Sequence, residues 1–160
     1  MQTKETRSSM RFYQEDKLAA VDAKFEAQKI AFAPFVFQAS LALRDLGILK
    51  VIEDAGVTGI TQEDIVSKGT LTNYGVRVLV EAGLGMGLLI INDGKYTITR
   101  VGYYILNDPM TIANMDFVQD INYQGFFHLK EAIETGKPTG LKVIGEQYET
   151  FYQALSELPE

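Results

Sequence analysis

The sequence predicts a mainly α-helical domain with one small β-hairpin and additional helices at both ends. Apolar residues recur at helical spacing over most of the chain. Two β-prone runs flank the dipeptide Asp93-Gly94. A hydrophobic fraction of 46% in 160 residues suffices for one core with helical extensions.

Residues 1–10 are polar and read as a flexible tail. Residues 11–33 read as a helix whose narrow stripe of Leu18, Val21, Phe25 and Phe32 is separated by charges. Such a stripe ahead of a core suits a partner chain, so this segment is a candidate dimerisation helix; packing on its own domain is the alternative. Pro34 suits the first turn of the next helix and Gly47 its end. Between them Phe35, Phe37, Leu41, Leu43 and Leu46 predict burial on more than one side. Residues 48–52 continue apolar, and Gly56 and Gly59 mark a loop.

Thr61 is an N-cap with Asp64 three residues on, and Ile60 and Ile65 occupy the positions of a hydrophobic staple. Gly69 closes this short helix, and a longer one is expected over 72–85. The runs 88–91 and 96–99 enclose Asn92-Asp93-Gly94-Lys95, where a type I′ turn needs positive φ at both central residues. Helix, short helix, longer helix and hairpin, in that order, predict a winged-helix-like domain over 34–108. A short helix over 101–106 and a break at Asp108-Pro109 follow. Residues 112–135 read as one helix marked by Phe117, Ile121, Phe126, Leu129 and Ile133, stopped by Gly136 and Pro138. A loop through Gly145 leads to an amphipathic end with Tyr148, Phe151, Tyr152 and Leu155, so 109–160 reads as a helical extension.

Composition excludes several functions. With no cysteine there is no disulfide, thiol nucleophile or thiolate metal site, and the single histidine, His128, cannot build a multi-histidine site. A net charge of −6 and a pI of about 4.9 disfavour phosphate backbones and anionic membranes. No apolar run approaches a membrane span, and the start has no signal-peptide core, so a cytoplasmic protein is expected. A winged helix raises DNA binding through its third helix, but the polar stripe there is Asn73, Arg77 and Glu81, whose charges cancel. A winged-helix transcription regulator therefore stands as the alternative function. The run Gly83-Leu84-Gly85-Met86-Gly87 has the look of a nucleotide loop, yet a hairpin follows it where such a loop needs a helix. Spacing-four apolar residues Val76, Val80 and Leu84 instead place it in a helix that packs closely.

The stretch from Arg77 to Leu84, then Gly87-Leu88-Leu89, Tyr96-Thr97-Ile98-Thr99 and Gly102, resembles the winged-helix dimerisation domain of small-molecule O-methyltransferases. Phe126 to Pro138, with Thr135-Gly136, extends the likeness, with Phe126 where that family usually has tryptophan; Gly145 and the aromatics of 148–152 also fit. The resemblance covers roughly residues 33–160. It implies a homodimer and a small-molecule substrate. It also implies a Rossmann-like domain, absent from these residues, that binds S-adenosylmethionine and carries the catalytic base. These residues would then be an N-terminal dimerisation and substrate-enclosing domain, with no catalytic, cofactor or metal residue of their own.

The expected dimer face is Leu18, Val21, Phe25 and Phe32. Met115, Phe117, Tyr123, Phe126 and Phe127 are candidates to line a substrate pocket, with core packing as the alternative. His128 has no assignable carboxylate partner and reads as a surface residue; Asp116 and Asp120 share a helix face but make too few ligands for a metal.

Overall fold

The computed structural model describes residues 15–145 and 147–157. The expected tail, the first positions of the predicted helix 11–33 and the Leu155 side chain lie outside the described residues. Helix α1 spans Ala20–Ala31. Residues 15–19 are not helical: the Leu18 N–H donates to Asp16 Oδ1 at 3.0 Å, and Ala19 is extended. Leu18 therefore precedes the helix rather than sharing its stripe. Phe32 leaves helical geometry, and α2 follows at once over Ala33–Asp45 with Pro34 in its first turn.

Gly47, at φ 76°, turns the chain directly into α3 (Ile48–Asp54), a helix that the run 48–52 did not disclose as such. After a 3₁₀ turn at Gly56–Thr58, Ile60 makes a two-bond bridge to Tyr96. Thr61 caps α4 (Gln62–Ser67) as predicted. Its Oγ1 accepts the Asp64 N–H at 3.2 Å, and its hydroxyl donates back to Asp64 Oδ2 at 2.9 Å. Thr72 caps α5 (Asn73–Gly85) through its Oγ1 alone, which accepts the Gly75 N–H at 3.1 Å.

Strands β1 (Leu89–Asn92) and β2 (Lys95–Ile98) pair antiparallel with Leu89 opposite Ile98. Asp93 and Gly94 both take positive φ, 49° and 74°, as the type I′ turn requires. Thr99 caps α6 (Arg100–Asn107) and ties it to the hairpin by donating to the Gly87 carbonyl at 2.7 Å. One core joins these elements: Leu43 of α2, Leu49 and Ile52 of α3, Ile65 of α4, Val76 and Val80 of α5, and Leu89 and Tyr96 of the hairpin. Burial along α2 is more one-sided than the spacing suggested. Leu41 and Leu43 are buried, whereas Phe35 and Leu46 remain exposed.

Beyond the core the predicted single helix 112–135 is broken. Asp108 caps α7 (Pro109–Phe117), a π-helical turn covers Val118–Asn122, a 3₁₀ turn covers Gly125–His128, and α8 spans Leu129–Thr135. A further 3₁₀ segment, Thr139–Val143, and α9 (Phe151–Glu157) complete this arm. The break has a packing cause. Gly125 and Gly140 cross backbone to backbone, so a Cβ on Gly140 would stand 2.7 Å from the Gly125 carbonyl oxygen. The arm buries Thr139, Leu141 and Ala154, a much smaller cluster than the core.

Candidate dimer face and apolar groove

No residue of α1 is buried. Val21, Phe25 and Phe32 stand 79%, 60% and 54% exposed, and Ile30, which lies off the predicted stripe, is exposed as well. Lys29 reaches over the Phe25 ring at 4.8 Å while pairing with Glu26 at 2.7 Å. Those contacts are internal to α1, and its apolar side chains remain uncovered in the single chain.

At the N-terminal end of α2, an apolar groove of about 370 Å³ forms between that helix and the arm. Ala33, Pro34 and Phe37 make one wall; Val118, Tyr123, Phe126 and Phe127 make the other. Phe37 and Tyr123 stack with centroids 5.4 Å apart and planes 17° apart, and Tyr123 meets Phe127 edge-on at 6.4 Å. The Tyr123 hydroxyl donates to the Pro34 carbonyl at 3.4 Å. Among the described residues no charged side chain lines the groove. An apolar wall of this kind holds flat, uncharged surface by contact and desolvation rather than by ion pairing.

Three of the five residues proposed for a pocket, Tyr123, Phe126 and Phe127, converge here. Phe117 instead packs edge-on against Phe151 at 6.0 Å, and Met115 is not among the lining residues. A second cavity of about 200 Å³ lies inside the arm between Ile121, Leu129, Leu141 and Phe151, with Phe126 shared by both. Sequence reasoning missed the α2 wall. Phe37 was counted with the core, and no local spacing signals its stack on a ring 86 residues away.

The polar candidates resolve differently. His128 Nδ1 lies 3.5 Å from Glu131 on a half-exposed surface, and Lys142 reaches the same carboxylate at 3.3 Å. Lys142, and secondarily His128, hold the Glu131 carboxyl below its ordinary range. Asp116 accepts from Arg44 Nη2 at 2.5 Å, so it is engaged in an ion pair rather than sharing a ligand set with Asp120. Among the described residues no group of three potential ligands comes together. Arg77 pairs with Glu81 at 3.3 Å, which neutralises the α5 face a DNA reader would need. Within the glycine run Gly83 is closely packed, a Cβ there lying 2.8 Å from Leu89 Cδ1, whereas Gly85 meets open space and Gly87 leaves the helix at φ 73°. The space that a nucleotide would need beside Gly83 is filled by Leu89 and Leu43.

Residues 24–96 match the family model of the Dimerisation2-like domain. A search of curated protein sequences finds no match. Among solved structures the chain is similar to the S-adenosylmethionine-dependent methyltransferase SibL in its apo form, with a TM-score of 0.69 and 19% identity over 82% of this chain and 39% of that one. It is similar to PigF solved with SAH, with a TM-score of 0.68 and 19% identity over 89% of this chain and 41% of that one. It is also similar to human N-acetylserotonin methyltransferase in complex with SAM, with a TM-score of 0.66 and 19% identity over 90% of this chain and 42% of that one. At these identities the likeness is one of fold. The chain spans about two fifths of the length of the structures it matches.

Proposed function

We propose, from the premise that residues 24–96 form a Dimerisation2-like domain, that the chain is the N-terminal dimerising and substrate-enclosing part of an S-adenosylmethionine-dependent methyltransferase. The fold likeness to two methyltransferases and to PigF solved with SAH supports this reading over a DNA-binding regulator, as does the neutral α5 face. The observation that carries it is the bare α1: a helix of little more than three turns with no buried residue is stable only when its apolar face meets another surface. A second copy would supply that surface through Val21, Phe25 and Phe32, in a symmetric homodimer.

S-adenosylmethionine, bound by the Rossmann-like domain of a longer parent, would supply the methyl group. Residues of this chain are assigned no step of that chemistry. Their part is to exclude water and to hold a small molecule against the ring wall of Phe37, Tyr123, Phe126 and Phe127 while its hydroxyl or similar nucleophile is methylated. Among the described residues no helix is long and apolar enough to cross a membrane. We place the protein in the cytoplasm, where a chain without cysteine forgoes nothing.

Sedimentation velocity at micromolar concentration tests the proposal. The chain is expected to sediment as a dimer, and the double variant Val21→Glu/Phe25→Glu as a monomer that still unfolds cooperatively, at a midpoint that no longer depends on protein concentration. A strictly monomeric parent chain would overturn it.

A further inference from the structure

We propose that Arg44 is a positioning residue: it clamps the arm of residues 109–145 against α2 and thereby sets the width of the groove. The clamp rests on its own geometry; only its consequence for substrate rests on the function proposed above.

The arm meets α2 along one line. Asp116, Gln119 and Tyr123 lie against Arg44, Gln38 and Phe37 in reverse order, so the two segments run antiparallel. Phe37 and Arg44 are two turns apart on α2, as are Asp116 and Tyr123 on the arm, and the two ends of the line are therefore in register. The ring stack closes the groove end. The Gln38 to Gln119 bond, at 2.7 Å, is exposed to water and contributes little net.

The Arg44 end is different in kind. Its side chain is only 13% exposed, and it donates from Nη2 to Asp116 at 2.5 Å and from Nε to Asp45 at 2.6 Å. Among the described residues this is the one ion pair that ties the arm to the core. Charge-assisted bonds in a sheltered place are the strong and directional ones. Burial opposes the guanidinium charge, but the two carboxylates outweigh it, and the pKa is raised.

Arg44 is also a costly choice. Its Nη1 is buried with no acceptor among the described residues. An incompletely satisfied guanidinium stabilises a fold less than a well-packed apolar side chain of similar volume would. What the apolar residue could not do is fix Asp116. That residue lies in the last turn of α7, one residue before its end at Phe117, and the π-helical turn that follows has a looser ladder that is a natural place for a helix to change direction. Everything beyond the turn, including Tyr123, Phe126 and Phe127, takes its direction from where Asp116 is held.

Hydrogen exchange measured by mass spectrometry on the wild type and Arg44→Met separates this role from plain stabilisation. Methionine removes the clamp and the unsatisfied Nη1 together. Peptides from 109–135 are expected to exchange about tenfold faster, while peptides of α3 and the hairpin stay protected and the unfolding midpoint holds or rises. Unchanged arm exchange in a folded variant would overturn the proposal, as would arm and core softening in proportion. Should Arg44→Met fail to fold, Asp116→Ala breaks the same bond from a half-exposed side chain, with the same selective loosening of the arm expected. Sedimentation of the same samples reads the α1 interface independently. Dimers with a loosened arm support both proposals, whereas a monomeric wild type with a loosened variant arm rejects the function and keeps the clamp.

Discussion

The helix-and-hairpin core and the segments that flank it dispose of their apolar side chains in opposite ways. Leu43, Leu49, Ile52 and Val80 of the core are wholly covered. Val21 and Phe25 of α1, and Phe127 and Ile133 of the arm, remain more than half exposed. Burying a side chain of this size is worth roughly 1.5–3 kcal/mol. The core gains that from its own chain, and the flanks can gain it only from another surface. The difference separates residues that make the fold from residues that the single chain leaves uncovered.

The largest expected effect tests that separation directly. Leu49→Ala, at a site with no exposure, should lower stability in urea denaturation by about 2–5 kcal/mol, whereas Ile133→Ala, at a site 77% exposed, should stay within about 0.5 kcal/mol. Comparable losses from the two would mean that the arm is as much part of the folded core as α3.

A smaller effect sharpens the picture inside the core, because two helical glycines there should respond with opposite sign. A Cβ on Gly102 overlaps the Leu88 carbonyl oxygen, where neither partner can yield without moving backbone. Gly102→Ala should therefore cost about 1–3 kcal/mol despite alanine's better helix propensity. Nothing stands within 4 Å of a Cβ on Gly85. Gly85→Ala should instead add up to about 1 kcal/mol, the full propensity difference. The midpoints of thermal unfolding for the two variants should straddle the wild type. Both falling below it would show that the tight packing at Gly83 extends through the whole glycine run.

The same contrast governs what the sequence could disclose. The core was legible because its signals are local: Thr61 with Asp64, Ile60 with Ile65, and Asp93-Gly94 each lie within a few residues of what they specify. The helix α3 was not read as one because its residues 48–52 are nearly all apolar, and a continuous run has no period to read. In the arm, the 3.6-residue spacing of Phe117, Ile121, Phe126, Leu129 and Ile133 was real but misleading. The helix it implies is broken by the Gly125–Gly140 crossing and by partners on α2, far away in the chain. The groove was half legible for the same reason. Tyr123, Phe126 and Phe127 lie close together in sequence and were found, while Phe37 and Pro34 join them only through the fold. Of the predicted stripe, Val21 and Phe25 stand exposed on α1, whereas Leu18 precedes the helix in a turn set by Asp16.

The smallest expected effect lies at the seam between the two regions. Asp108 caps α7, where the arm leaves the core, by accepting both the hydroxyl and the N–H of Thr111 at 2.8 Å. Those two bonds, the hydroxyl's first, hold its carboxyl below the ordinary aspartate range. A folded-state pKa lower than the unfolded one makes the cap's contribution complete above the ordinary range. The contribution is then lost as pH falls through the depressed value. The buried polar residues described in the chain are Ser40 and Thr139, and neither is a carboxylate. Acid should accordingly fray the first turn of α7 while the core keeps its protection. Titration of the Thr111 amide by NMR is expected to show the transition in the wild type and lose it in Asp108→Asn, since asparagine still caps but does not ionise. A Thr111 amide that ignores pH in both proteins would mean that the arm's departure from the core is fixed elsewhere, leaving the Arg44 clamp to set the arm's direction without help from the cap.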